Sequence, residues 1–203
     1  MQQGGSLGAM DYLIELMSAA LHGRKATRKP GGVRWEDVYR AAARHAVQPL
    51  VFAALPADSF ADAHAEQHGG ESGCDTGVAP CDATDAMPAE LAAQWRRDAD
   101  MALWQQISYD ADREAILADF KEAGLSWLPL KGIMAANYYP QPGMRSMSDQ
   151  DLVVGFVEPD GSGGWRPRGE RRQSDEVDKL VMTIMAEHGY KELSRAGREH
   201  SFG

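Results

Sequence analysis

Two aspartates one residue apart, Asp149 and Asp151, stand directly before the apolar run Leu152-Val153-Val154. Side chains at i and i+2 of a strand share a face. The spacing predicts two carboxylates side by side, their Cα atoms roughly 6.5–7 Å apart by strand rise. Ionised carboxylates so placed repel one another unless a cation lies between them. Magnesium meets that need, taking oxygen ligands at roughly 2.0–2.1 Å from one or two carboxylates plus substrate phosphates. The chemistry to expect is metal-assisted work on a phosphate. The plainer alternative is that both acids cap a strand and bind only water.

Upstream, Lys131-Gly132 follows the short apolar run Leu125 to Leu130. A glycine there lets the backbone turn sharply and approach a ligand closely. A helix beginning at that turn aims free N–H groups and a positive dipole end outward, a ready place for phosphate. Lys131 either neutralises a phosphate or is a surface lysine at a strand end. Arg145, four residues before Asp149, suits a bidentate phosphate clamp. It suits equally an ion pair that orients Asp149 or Asp151. Ser148 is a weaker phosphate-contact candidate, and Tyr138 and Tyr139 either stack on a base or pack locally.

These residues need elements to hold them. Apolar positions from Leu13 to Leu21 recur with a helical period, and Gly23 stops them. Trp35 to His45 reads as a second helix, and Pro49 suits the first turn of a third that continues to about Leu55. Residues 56–87 lose all periodicity, with Gly69-Gly70 and Ser72-Gly73 among few large apolar side chains, and read as a flexible linker or insertion. Pro88 opens the longest helix, which Gly124 ends. At about 54 Å if unbroken, it is expected to break near Ser108 to Asp112. Leu125 to Leu130 then reads as a strand, Ile133 to Tyr139 as a short helix, and Asp149 to Val157 as a second strand. The arginines Arg166, Arg168, Arg171 and Arg172 fall in a glycine-rich loop over 158–173, either disordered or able to close over phosphates. Ser174 is the expected N-cap of a helix reaching about His188, and Tyr190 to Leu193 a third strand.

Composition narrows the partners. The chain has 203 residues, 43% of them hydrophobic, enough for a globular core. Its net charge of −9 argues against broad binding to a nucleic-acid backbone, which needs clustered Lys and Arg. Cys74 and Cys81 lie six residues of gap apart, which fits no common zinc spacing, and read as either a disulfide or, more simply, two solvent-facing thiols of a cytoplasmic protein. Met10 to Leu21 is too short and too interrupted to span a bilayer.

The stretch from Lys131-Gly132 through Tyr139-Pro140-x-Pro142-Gly143-x-Arg145 to Asp149-x-Asp151 resembles the polymerase-beta-like nucleotidyltransferase superfamily. Within it the chain looks like an uncharacterised bacterial branch, a likeness that extends to Trp35-Glu36-Asp37 and Ala43-Arg44-His45-Ala46-Val47-x-Pro49-Leu50. The resemblance implies an α+β fold: an N-terminal helical region over 1–55, the linker over 56–87, and over 88–203 a long helix plus a small core with a mixed sheet flanked by helices. It implies Asp149 and Asp151 as catalytic residues and ligands of Mg2+ or Mn2+, with Lys131, Gly132, Arg145 and Ser148 on the donor phosphates. It implies transfer of a nucleoside monophosphate from an NTP to a small-molecule or protein hydroxyl. The alternative is a non-catalytic nucleotide-binding or protein-interaction module on the same fold.

Two departures from the pattern stand out. The superfamily often has serine after the glycine, where this chain has Ile133. It also commonly uses a third carboxylate on a later strand; Glu192 and Glu199 are the only nearby candidates, and neither has a convincing sequence context. Because Gly203 follows so soon, the reading favours a chain truncated at its C-terminus.

Overall fold

The computed structural model describes residues 4–60, 86–168, 172–197 and 199–203. Most of the expected linker, with Cys74 and Cys81, lies outside the described residues, as does Arg171. The chain divides into two compact units, one of Met1–Gln106 and Asn137–Ser146, the other of Ile107–Ala136 and Met147–Gly203.

The first unit is helical. Helices α1 (Gly4–Leu21), α2 (Trp35–Arg44), α3 (Gln48–Phe52) and the N-terminal part of α4 (Ala89–Glu122) build it, with a 3-10 turn at Ala57–Ser59. The α1 period buries Tyr12, Leu13, Leu16 and Ala20 against Val38 and Ala42 of α2 and Leu50 and Val51 of α3. Trp95 of α4 is fully enclosed, edge-on to Trp35 and Tyr39, and its indole N–H donates to the Gln48 carbonyl at 2.9 Å. Trp35 and Leu50, two residues of the N-terminal motif, are therefore core residues. His45 is exposed and serves as the C-cap of α2.

Tyr39 donates to Asp98 at 2.6 Å and accepts from Gln94. Burial first, and then the Asp98 hydrogen bond, push its phenol up to about 12 from an ordinary 10.0. A raised folded-state value favours the neutral phenol, so its contribution to stability is complete below pH 10 and disappears as the pH climbs from 10 towards 12. We expect Tyr39→Phe to flatten the loss of stability over that window in urea titrations. An unchanged pH profile would show that another group controls it.

The 137–146 segment belongs to this unit through two anchors. Met144 is buried with its core, and Tyr139 packs on it while Tyr138 is 83% exposed. Gly143 adopts φ +80, and a Cβ there would stand 2.8 Å from the Leu103 Cα of α4. Its N–H donates to the Gln106 side-chain carbonyl. Only glycine permits both the left-handed backbone and that close approach.

The second unit is mixed. Strand β1 (Ser126–Pro129) pairs antiparallel with β2 (Leu152–Gly155) in the register Trp127↔Val154 and Leu128↔Val153. One face of this pair, with Trp127, Leu152 and Val154, packs on Ile116 and Phe120 of α4 and on Ile184 of α6 (Arg172–Glu187). The other face carries Leu128 and Val153, both more than half exposed. Strands β3 (Val157–Pro159) and β4 (Trp165–Pro167) form one further antiparallel pair, and β5 (Glu192–Ala196) and β6 (Glu199–Phe202) another. Between β1 and β2 lies the short helix α5 (Lys131–Ala136).

The α+β class holds, with differences of detail. Among the described residues the strands make three separate antiparallel pairs in place of a mixed sheet. Helix α4 runs unbroken past Ser108, since nothing from Tyr109 to Asp112 removes a backbone donor. Helix α6 starts at Arg172, so Ser174 lies inside it rather than at its cap. The glycine-rich loop expected over 158–173 is largely a hairpin: the Asp160 carboxylate accepts from Ser162 N, Ser162 Oγ and Gly164 N at 2.8–2.9 Å and thereby closes its tip. Those hydrogen bonds, chiefly from Ser162, hold Asp160 below its ordinary carboxylate value. Two of the loop arginines are engaged within that hairpin, Arg166 with Glu158 and Arg168 over the Phe156 ring.

Candidate functional site

Asp149 and Asp151 lie just ahead of β2, in an extended approach rather than within the strand predicted over 149–157. The ladder nevertheless reaches them, because the Leu130 N–H donates to the Asp151 carbonyl at 2.9 Å. The residue between the acids is anchored. Gln150 is turned onto α4, donating to the Tyr109 carbonyl at 3.2 Å and accepting from Arg113 at 2.5 Å. Arg113 is held in turn by Asp110. Gln150 is thus tied inward, while Asp149 and Asp151 on either side of it keep at least partly exposed side chains. Asp149 is exposed, and the Asp151 side chain retains 34% of its exposure.

Lys131 meets Asp151. Its Nζ lies 3.0 Å from Asp151 Oδ2. Its ammonium is held above the usual lysine range by the Asp151 hydrogen bond first and the Asp151 charge second, with Asp149 and Glu199 adding to the field. Asp151 is the carboxylate in direct contact with that cation. The sharp turn expected at Gly132 falls instead on Lys131, at φ +42, and Gly132 is the second residue of α5. Ser148 donates weakly to Asp149 at 3.3 Å. Arg145 belongs to the first unit, half-buried, with an Nε enclosed and without a hydrogen-bond partner.

The two candidates for a third carboxylate separate clearly. Glu192 is committed to His200, at 2.7 Å from Nδ1, and His200 also faces Asp178, which pairs with Arg195. Glu199 has its charge felt at Lys131. Sequence reasoning missed Gln150 and Arg113 altogether. The alternation rule was the available signal for Gln150, since the residue between two solvent-facing acids is expected to face the core.

Hard oxygen donors at Asp149 and Asp151, already attended by one cation, suit a divalent metal of the magnesium type. Among the described residues no group of three or more His, Cys, Asp and Glu side chains forms a metal cage. Two carboxylates leave most of the coordination shell for phosphates and water, which is how magnesium usually binds.

A family model described as "Uncharacterised nucleotidyltransferase" matches residues 31–156, from just before α2 to the end of the β1–β2 pair. The chain belongs to that family, and it therefore carries a nucleotidyltransferase domain for which an NTP is the implied donor. The matched span contains Lys131, Gly132, Arg145, Ser148, Asp149 and Asp151, whereas Glu199 lies beyond it. No curated protein and no solved structure matches the chain significantly. Among the described residues no helix is long and apolar enough to cross a membrane.

Proposed function

We propose that this protein transfers a nucleoside monophosphate from an NTP to a hydroxyl of a small molecule or protein, with Mg2+ or Mn2+ held by Asp149 and Asp151. The observation that carries this reading is the Lys131 ammonium 3.0 Å from Asp151, at the Asp149-x-Asp151 pair inside the span the nucleotidyltransferase family model matches. When bound, the divalent cation would polarise the phosphoryl oxygens and offset charge on the leaving pyrophosphate. Asp149 and Asp151 orient the donor through that site. Glu199 is assigned to accept the proton of the attacking hydroxyl. A new oxygen–phosphorus bond forms at the α-phosphorus, the bond to the β-phosphate oxygen breaks, and pyrophosphate departs. Lys131 and the backbone at Gly132 are assigned to donor phosphates, with Ser148 beside them. Arg145 is assigned to a phosphate by its motif position alone. The net charge of −9 favours a small-molecule or protein acceptor over a polynucleotide.

The test is to supply Mg2+ with NTP labelled at the α- or the γ-phosphate and follow label and pyrophosphate. We expect α-label to enter an acceptor, with pyrophosphate released; transfer of γ-label would replace this reading by phosphotransfer. A second reading, binding without turnover, has one observation in its favour. On α4 in the first unit, Met101 and Trp104 are each about 70% exposed, an apolar surface available to a partner. Metal-dependent nucleotide binding with neither label transferred selects it.

A further inference from the structure

The Lys131–Asp151 pair joins two groups that the proposed chemistry needs for different tasks. The lysine has to meet phosphate and the aspartate has to meet metal, yet here they hold each other at 3.0 Å. We propose that Lys131 holds Asp151 until nucleotide arrives, so that metal and nucleotide enter together rather than metal first. The inference rests on the functional reading above.

Three features support it. The Lys131 backbone is one of only two non-glycine residues at positive φ among the described residues, a conformation that costs energy and persists only when its surroundings impose it. The ladder bond from Leu130 N–H to Asp151 O fixes the neighbouring peptide, so the root of the lysine cannot drift from the acids. Its side chain is 75% exposed, which leaves the ammonium free to swing on a flexible stem. An incoming divalent ion must displace it and strand a cation beside another cation. Donor phosphates remove that conflict by accepting the lysine, and metal and nucleotide then reinforce each other's binding.

The experiment titrates Mn2+ into the full chain and reads free Mn2+ by electron paramagnetic resonance, with and without a non-hydrolysable α,β-methylene NTP. For the parent we expect weak binding of Mn2+ alone and a marked gain with nucleotide. Lys131→Met, and Lys131→Gln as a second variant, should bind Mn2+ alone roughly two- to fivefold more tightly, as expected when an exposed competing ion pair is lost. The gain conferred by nucleotide should shrink in both variants. If both bind Mn2+ as the parent does, with the same gain, the pair is an incidental surface contact and the proposal is overturned. Failure of the functional reading looks different: Asp149→Asn with Asp151→Asn would then leave Mn2+ binding at parental strength.

Discussion

Asp149→Asn combined with Asp151→Asn is expected to abolish Mn2+ binding in the presence of nucleotide and to cut nucleotide transfer by more than about 100-fold. That figure exceeds what loss of a mere supporting partner of a metal ligand costs. An amide keeps the size of a carboxylate but removes the negative charge that a hard divalent ion requires. Both acids are at least partly exposed and neither belongs to the packed core, so the fold should survive. The thermal transition should therefore stay close to that of the parent while binding and transfer fail. Glu199→Gln should behave differently, retaining metal binding and losing turnover, because its assigned task is to accept a proton. Parental transfer by the double variant would remove the catalytic assignment outright.

Trp95→Ala is expected to cost the first unit about 3–5 kcal/mol, the range for deleting a large buried aromatic. Trp95 is wholly enclosed and touches Trp35 and Tyr39 edge-on. Truncation opens a cavity and strips the Gln48 carbonyl of its donor. Urea unfolding followed by far-ultraviolet circular dichroism measures the loss. Trp104→Ala is the control on the same helix: that indole is 70% exposed and its removal should change stability little. Equal losses from the two substitutions would mean that the packing around Trp95 is not what holds this unit together.

Several features were legible in the residues themselves. The 3.6-residue period of α1 and α2 and the glycine after α4 mark helices because a helix must bury one stripe. Lys131-Gly132 and Asp149-x-Asp151 stood out because charge at strand ends needs a counter-charge or a ligand. Pairing was not legible. Among the described residues three antiparallel pairs replace one mixed sheet, because the choice of strand partner depends on long-range register, which no local period encodes. The arginines of the 158–173 loop looked available, yet Glu158 and Phe156 engage Arg166 and Arg168 once β3 and β4 pair.

By itself the sequence determined helix periods and the acidic pair, because these follow from residue type and short spacing, while the α+β class came with the family resemblance. Tertiary structure decided that Gln150, between the acids, turns onto α4. It also decided that Gly143 must be glycine, since only packing brings the Leu103 backbone against it. Those outcomes rest on contacts between segments 37 or more residues apart in the chain, such as Arg113 with Gln150 and Gly143 with Gln106, which only the folded chain can bring together.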